Sequence, residues 1–295
     1  GTDGFTVYSE SDMQNNTANQ TTLQGYISGG HPAFVLMPGD LTGANSHGAQ
    51  DVDIRYNEIM AWSQDAAAMP IWGNHDWDGP SSNDDLRNSK GRFDFPNPQL
   101  SPGATVVNGG AADTSGEDWY WFDYGNTRFI AIPYSYGSAW SDWRTRVGPI
   151  MDQAQADPLI KFIVTFGHKP AYSSGNHPGD NTLAGYLNTL GDAHSKYVMN
   201  INGHSHDYER SFPQHGVTHI TDASPSSIEP PWTSTPAWSA TRIFHLGNLK
   251  LVFANGTIQG SFTCGPSGLS GEETCAPGTV FDSFTIGTPS GGDTT

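Results

Sequence analysis

Five short apolar runs in this chain each end in a turn that carries an Asp, an Asn or a His. The turns are Ser11-Asp12-Met13-Gln14, Gly39-Asp40-Leu41, Gly73-Asn74-His75-Asp76, Gly167-His168-Lys169-Pro170 and Gly203-His204-Ser205-His206. The runs before them, such as AFVLM at 33–37 and KFIVTF at 161–166, are short and rich in branched and aromatic residues, as buried strands are. Loops at the carboxyl ends of strands gather on one side of a sheet and build sites there. The pattern therefore constrains the fold to one in which five strand ends converge.

Between these runs the chain reads as alternating elements. Strand Phe5 to Ser9, helix Thr21 to Ser28, strand Ala33 to Met37, helix Ile54 to Ala68 and strand Pro70 to Trp72 form an α/β unit with right-handed crossovers. Residues 79 to 118 are rich in Gly, Pro, Asn, Asp and Ser and read as a long loop region. The aromatic run Trp119 to Tyr124 and the run Arg128 to Pro133 form a hairpin around Gly125-Asn126, packed as core or cleft wall. Helix Trp140 to Ala154, strand Lys161 to Phe166, helix Leu183 to His194 and strand Tyr197 to Ile201 follow. Four strand-like runs in 242 to 286 predict a second, C-terminal sheet packed on the first, with helices outside. Residues 1–286 are expected to be one domain. The tail 287–295 reads as a flexible linker that frays or leads to a further domain.

A formal net charge of −17 repels nucleic-acid polymers and anionic membranes at long range. No apolar run approaches the roughly 20 residues needed to span a bilayer. The start at Gly1, with no signal peptide, fits a mature, processed or trimmed chain. Cys264 and Cys275 are the two cysteines, flanked by Gly and Pro, and predict a local disulfide. That places the chain in an oxidising compartment, outside the cell. Asn15, Asn19 and Asn255 head glycosylation triplets, which matter only in a host that glycosylates.

Taken singly, the turns are ambiguous. Asp40 reads equally as a loop acid or a helix cap, and Asn74 and Asp76 as turn formers. Two histidines two positions apart, His204 and His206, face one point only from an irregular loop. Together the turns supply mixed oxygen and nitrogen donors, which suit zinc, manganese or iron. A structural calcium site needs mostly oxygen donors, against which His168, His204 and His206 argue. A carboxylate shared by two cations holds them about 3.5–4 Å apart, the spacing used for in-line displacement at phosphorus.

The segments GDL, GNHD, GHKP and GHSHDYER, in this order, resemble the calcineurin-like metallophosphoesterases, closest to their purple acid phosphatase-like branch. The resemblance runs from Asp12 to the closing VFDSFTI. It implies a two-sheet αββα sandwich and hydrolysis of phosphate mono- or diesters by a metal-bound hydroxide at two divalent or trivalent ions. By motif, Asp40 bridges both metals, Asp12 and His206 complete the first with Gln14 beside them, and Asn74, His168 and His204 hold the second. His75 is expected to stabilise the transition state or protonate the leaving oxygen. Asp76 either orients the His75 ring or is a turn acid. The sequence departs from the family at two places. Gln14 stands where the superfamily has His, a poorer ligand for zinc or iron, so the first metal is expected to bind more weakly. Gly43 stands where purple acid phosphatases carry the iron-bound Tyr, so no purple band is expected. His177 reads either as a loop histidine or as a contact to a phosphate oxygen, and Arg210 either as a structural ion pair or as a phosphate fork. The competing reading is a binding module on a phosphatase scaffold, with its first metal lost through Gln14. The implied substrates are small-molecule or lipid-head-group phosphate esters.

Overall fold

The computed structural model describes residues 4–14, 17–43, 47, 49–77, 89–101, 118–134, 138–222 and 227–288. Most of the 79–118 loop region, Asn15 and Asn16 of the first glycosylation triplet and residues 289–295 of the tail lie outside the described residues.

The apolar runs become strands that bury both faces. β1 (Phe5–Ser9), β2 (Phe34–Pro38) and β3 (Ala67–Ile71) are parallel neighbours, with Val7 opposite Phe34 and Leu36 opposite Met69. The connections are α1 (Thr17–Gly29), and α2 (Ala49–Glu58) with a 3-10 turn at Ile59–Ala61. The predicted helix to Ala68 stops short of that residue. Ala67 and Ala68 favour helix locally but are taken into β3, where they pair with Phe34 and Val35. Tertiary pairing overrides a weak propensity here. A single helical turn, α3 (Asn74–Trp77), follows β3.

The hairpin β4 (Trp121–Tyr124) and β5 (Thr127–Ile132) closes around Gly125-Asn126. β6 (Phe162–Gly167) and β7 (Tyr197–Asn202) lie parallel to β5 after crossovers through α4 (Ala139–Ala156) and α5 (Asn181–Ala193). Trp143, Val147, Met151 and Ala154 are buried at helical spacing on α4, and Leu183, Leu187 and Leu190 on α5. β8 (Tyr208–Ser211), β9 (Thr218–Asp222) and β10 (Ser239–Ile243) complete this seven-stranded sheet, ordered β10-β8-β9-β7-β6-β5-β4.

The last three strands correct the sequence reading. β11 (Gly247–Ala254), β12 (Thr257–Cys264) and β13 (Val280–Gly287) form no sheet of their own. They extend the first sheet antiparallel from β1, giving the order β13-β12-β11-β1-β2-β3. β1 has an apolar neighbour on each edge, because its buried residues match those of β11 in register: Phe5 with Phe253, Val7 with Leu251. The two sheets are fastened by aromatic rings. Within the first sheet Phe5 stacks on Phe253 with centroids 4.5 Å apart, and Phe129 of the second sheet meets both Phe34 and Phe253 edge-on. Helices lie outside both sheets, so the architecture is the expected αββα sandwich. Cys264 and Cys275 form the expected disulfide across the loop between β12 and β13.

Candidate metal centre

All five turns meet at one end of the sandwich, knitted by backbone bonds. Asp12 N donates to Gly39 O at 3.0 Å, Met13 N to Asp40 O at 2.8 Å and Gly203 N to His168 O at 2.9 Å. Gly39 has φ of 85°, and a side-chain carbon there would stand 2.8 Å from both Gly73 N and His168 Cβ. A glycine is what lets three turns pack this closely.

Among the described residues, eight other than glycine have positive φ, and four of them are Asp12, Asp40, His204 and His206. The left-handed region costs such residues roughly 1–2 kcal/mol each, and it clusters at working sites. It also explains how His204 and His206 can both serve one site from alternate positions.

The donors form two linked sets. In the first, His168 Nε2 lies 3.1 Å from Asp40 Oδ2, 3.1 Å from Asn74 Oδ1 and 3.1 Å from His204 Nδ1. His168 Nδ1 faces the Pro38 carbonyl at 2.9 Å, so that nitrogen carries a hydrogen and Nε2 points at the other donors. Asp40, His168 and His204 offer ligand atoms all within 4.8 Å of one another. In the second set, His206 Nε2 lies 3.4 Å from Asp12 Oδ1 and 3.3 Å from Gln14 Nε2. The Asp12 carboxylate also accepts from His204 N at 2.9 Å, which ties the sets together.

These groups fit metal ions. Lone pairs of two imidazoles, a carboxylate and an amide oxygen converge at contact distance, an arrangement that positive charge relieves. The electrostatics point the same way. Burial alone would lower His168, but the Asp40 and Asp12 carboxylates outweigh it and hold the ring up to about 9. His204, buried and beside His168, is pushed down to about 2. Asp12 is held at about 2: burial opposes this, and His168 and His206 overcome it. Gln14 Oε1 is buried without a hydrogen-bond partner. A half-turn of that amide exchanges its oxygen and nitrogen and presents the oxygen to the point shared by Asp12 and His206.

The remaining expected site residues fall in different places. His75 is at the mouth, its side chain 36% exposed, with its N–H on Asp40 Oδ1 at 2.7 Å and its Nε2 3.9 Å from Asp40 Oδ2. Asp76, weighed as a ring orienter or a turn acid, makes the contacts of a turn acid. Its Oδ1 accepts from Leu41 N, Thr42 N and the Thr42 hydroxyl, and its Oδ2 from Gly73 N. It fastens the Asp40 turn to the Asn74 turn and so positions His75 through the backbone. Burial first, then the Asp40 charge, push Asp76 up to about 7. Arg210, weighed as a phosphate fork, spends its guanidinium on Asp282 of β13, with contacts of 2.7 and 3.0 Å, which is the ion-pair alternative. His177 does reach the centre: its ring lies over His204 with centroids 4.4 Å apart.

Two residues here escaped the sequence reading. Ser227 Oγ lies 2.6 Å from His206 Nδ1, and Glu229 Oε2 lies 3.1 Å from His177 Nε2. Glu229 Oε1 is also 3.6 Å from His206 Nδ1. Both belong to the Pro- and Ser-rich segment 223–236, whose composition marks it only as a loop.

Comparison with known proteins agrees with this geometry. The family model for calcineurin-like phosphoesterase matches residues 7–208. No curated protein sequence matches the chain. Similar solved structures include purple acid phosphatase PPD1 from yellow lupin (Lupinus luteus) seeds, at TM-score 0.71 and 19% identity, covering 97% of this chain and 54% of that one. This chain thus spans about half the length of the lupin protein. Others are GAP50 of Plasmodium, described as the anchor in the inner membrane complex, and a dimetal phosphatase from Danio rerio. The first has TM-score 0.68 and 18% identity over 97% of this chain and 90% of that one; the second, 0.59 and 14% over 97% and 99%. At these identities the neighbours speak for the fold, and the family match carries the assignment. The chain belongs to the calcineurin-like phosphoesterases, a family of metal-dependent phosphoester hydrolases.

Proposed function

We propose that the chain hydrolyses phosphate mono- or diesters at a centre of two metal ions, with Asp40 shared between them. Asn74, His168 and His204 are the other ligands of one ion, and Asp12, Gln14 and His206 of the other. The observation that carries this reading is the convergence of His168 Nε2, His204 Nδ1, Asp40 Oδ2 and Asn74 Oδ1 at 3.1 Å contacts, with Asp12 and His206 adjoining. When bound, such ions supply Lewis acidity and lower the pKa of water towards about 7.

The chain's own groups do the rest. His75 presents Nε2 at the mouth and holds a proton for the leaving oxygen. Its backbone N–H fixes Asp40, and Asp76 fixes the loop beneath both. His177, packed on His204 and held by Glu229, closes one side and offers a donor to a phosphoryl oxygen. Ser227 keeps the His206 ring in the orientation that turns Nε2 inward. We further infer an extracellular enzyme. The disulfide supports that location, and no helix among the described residues is long and apolar enough to cross a membrane.

The test is turnover of a chromogenic phosphomonoester and the matching diester after loading with zinc, manganese or iron, with metal content measured in parallel. Turnover with two ions per chain is expected. His75→Ala should keep both ions and lose about 10²–10⁴-fold in kcat. Unchanged kcat would remove His75 from the chemistry. Absence of turnover with every metal would leave a binding module on this scaffold.

A further inference from the structure

Beside the donor cluster lies a cavity of ≈ 270 Å³. Its apolar walls are Ile132, Pro133, Tyr134, Trp140 and Leu183. His168 belongs to both places: it lines the cavity, and its Nε2 faces Asp40, Asn74 and His204. His168 is thus the lining residue that the cavity shares with the donor cluster.

The cavity's chemistry is specific. Trp140 and Tyr134 give two aromatic walls, the latter with its centroid 5.9 Å from the His168 ring. Trp140 is held in place by stacking on Trp143 at 5.4 Å and by an edge contact with Tyr186 at 6.0 Å, so binding there orders little that is not already ordered. The charged lining groups are Lys169 and Asp180, and they neutralise each other across 3.0 Å. An apolar cavity of roughly 150 Å³ holds benzene. One of ≈ 270 Å³ has room for one or two fused rings.

We propose that this cavity seats the alcohol part of the substrate, and that the preferred substrates are phosphate esters of uncharged aromatic alcohols. The proposal rests on the hydrolase reading above. It assigns to Trp140, Tyr134 and Leu183 a specificity role: they bind the group that leaves, while the phosphoryl group faces the donors of His168, His204 and Asp40. The mutually neutralised Lys169–Asp180 pair gives no net charge with which to reward a charged ring.

The experiment uses phosphonates, which bind without being cleaved. Calorimetry on the metal-loaded protein compares methylphosphonate, phenylphosphonate and 1-naphthylphosphonate. The aryl compounds should bind about tenfold or more tightly than methylphosphonate, the scale of an aromatic contact plus ring burial. Trp140→Ala removes a wall. Thr182→Trp, at an exposed position in the first turn of α5, fills the cavity from its rim. Both should bring the aryl-to-methyl affinity ratio towards one. Methylphosphonate binding and turnover of small esters without any aryl preference would overturn this proposal alone. So would an aryl preference that survives both variants. Failure of every phosphonate to bind and of every ester to react would overturn the hydrolase reading and this proposal with it.

Discussion

Replacing Gly73 with alanine adds one methyl group and should cost the protein its site. Gly73 lacks a positive φ, so alanine can adopt the backbone conformation, and the effect comes from contact alone. The new carbon would stand 2.8 Å from Asp40 Cγ and nearer still to Asp40 Oδ1 and N. Carbon atoms rest at about 3.5–4.0 Å, so the carboxylate must retreat by at least half an ångström or so. It cannot retreat freely, because His75 N holds its Oδ1 at 2.7 Å and His168 lies against Oδ2 at 3.1 Å. Overpacking of this kind costs about 1–3 kcal/mol. In a domain of this size that lowers Tm by roughly 2–10 °C. A misplacement approaching 1 Å at a positioning group costs up to about 10²-fold in rate, so kcat/KM should fall about 10- to 100-fold, with weaker metal retention. The assay is thermal unfolding, metal content and kcat/KM on one preparation. Gly185→Ala is the control. Gly185 lies inside α5 with nothing within 4 Å of the added carbon, and the change should stabilise by about 0.5–1 kcal/mol. A Gly73→Ala protein with wild-type Tm, metal content and kcat/KM would refute the reasoning.

Gln14→His should tighten the first metal, since it replaces a neutral amide by an imidazole opposite His206 Nε2. Competition with a graded chelator reads the affinity, and equal metal loss from both proteins would remove Gln14 from the ligand set. His219 is buried, and burial first, then His215, push it down to about 3. Its folded pKa lies below its unfolded value of about 6.5, so its contribution to stability is present above pH 6.5 and is lost as pH falls towards 3, by at most about 1.4 kcal/mol per unit. His219→Phe should flatten that limb of a denaturant-midpoint profile, and an unchanged slope would contradict the argument. Cys264→Ala with Cys275→Ala opens the closed loop before β13 and should lower stability by about 2–4 kcal/mol in denaturant titration, whereas a wild-type midpoint would show the bridge to be dispensable.

Much of this was legible in the residues. Strand runs such as FVLMP and KFIVTF declare themselves by continuous apolarity, and the ligand turns by Gly next to Asp, Asn or His. Partnership between strands did not show. Nothing local in LKLVFA says that it pairs with FTVYS rather than joining its hairpin neighbours in a separate sheet, because strand pairing is settled by matched burial across the whole chain. Ala67 and Ala68 misled for the same reason. At the site, side-chain type picked out Asp12, Asp40, His168, His204 and His206 as candidates, which the fold brings together, but not what the neighbours of these residues do. Asp76 was legible as an acid near His75, yet its partners are backbone amides of a turn about 35 positions earlier. Glu229 and Ser227 reach the site by the path of a loop, which composition does not encode.

The pairing of β1 with β11 sets the order in which the molecule can be made. Phe5 leaves the ribosome early, and its partner Phe253 emerges only when most of the chain exists. The strand pairing of the sheet that runs from β4 to β10 uses no later strand and can form during synthesis, before Asp282 of β13 arrives to hold Arg210 of β8. Until β11 arrives, β1 is an open edge of apolar residues, a template for unwanted pairing. Closure across so long a stretch is slow, because the loop entropy is lost before the contacts are gained. The turn with Asp12 hangs directly from β1, so the candidate metal centre gains its last edge support when β11 docks.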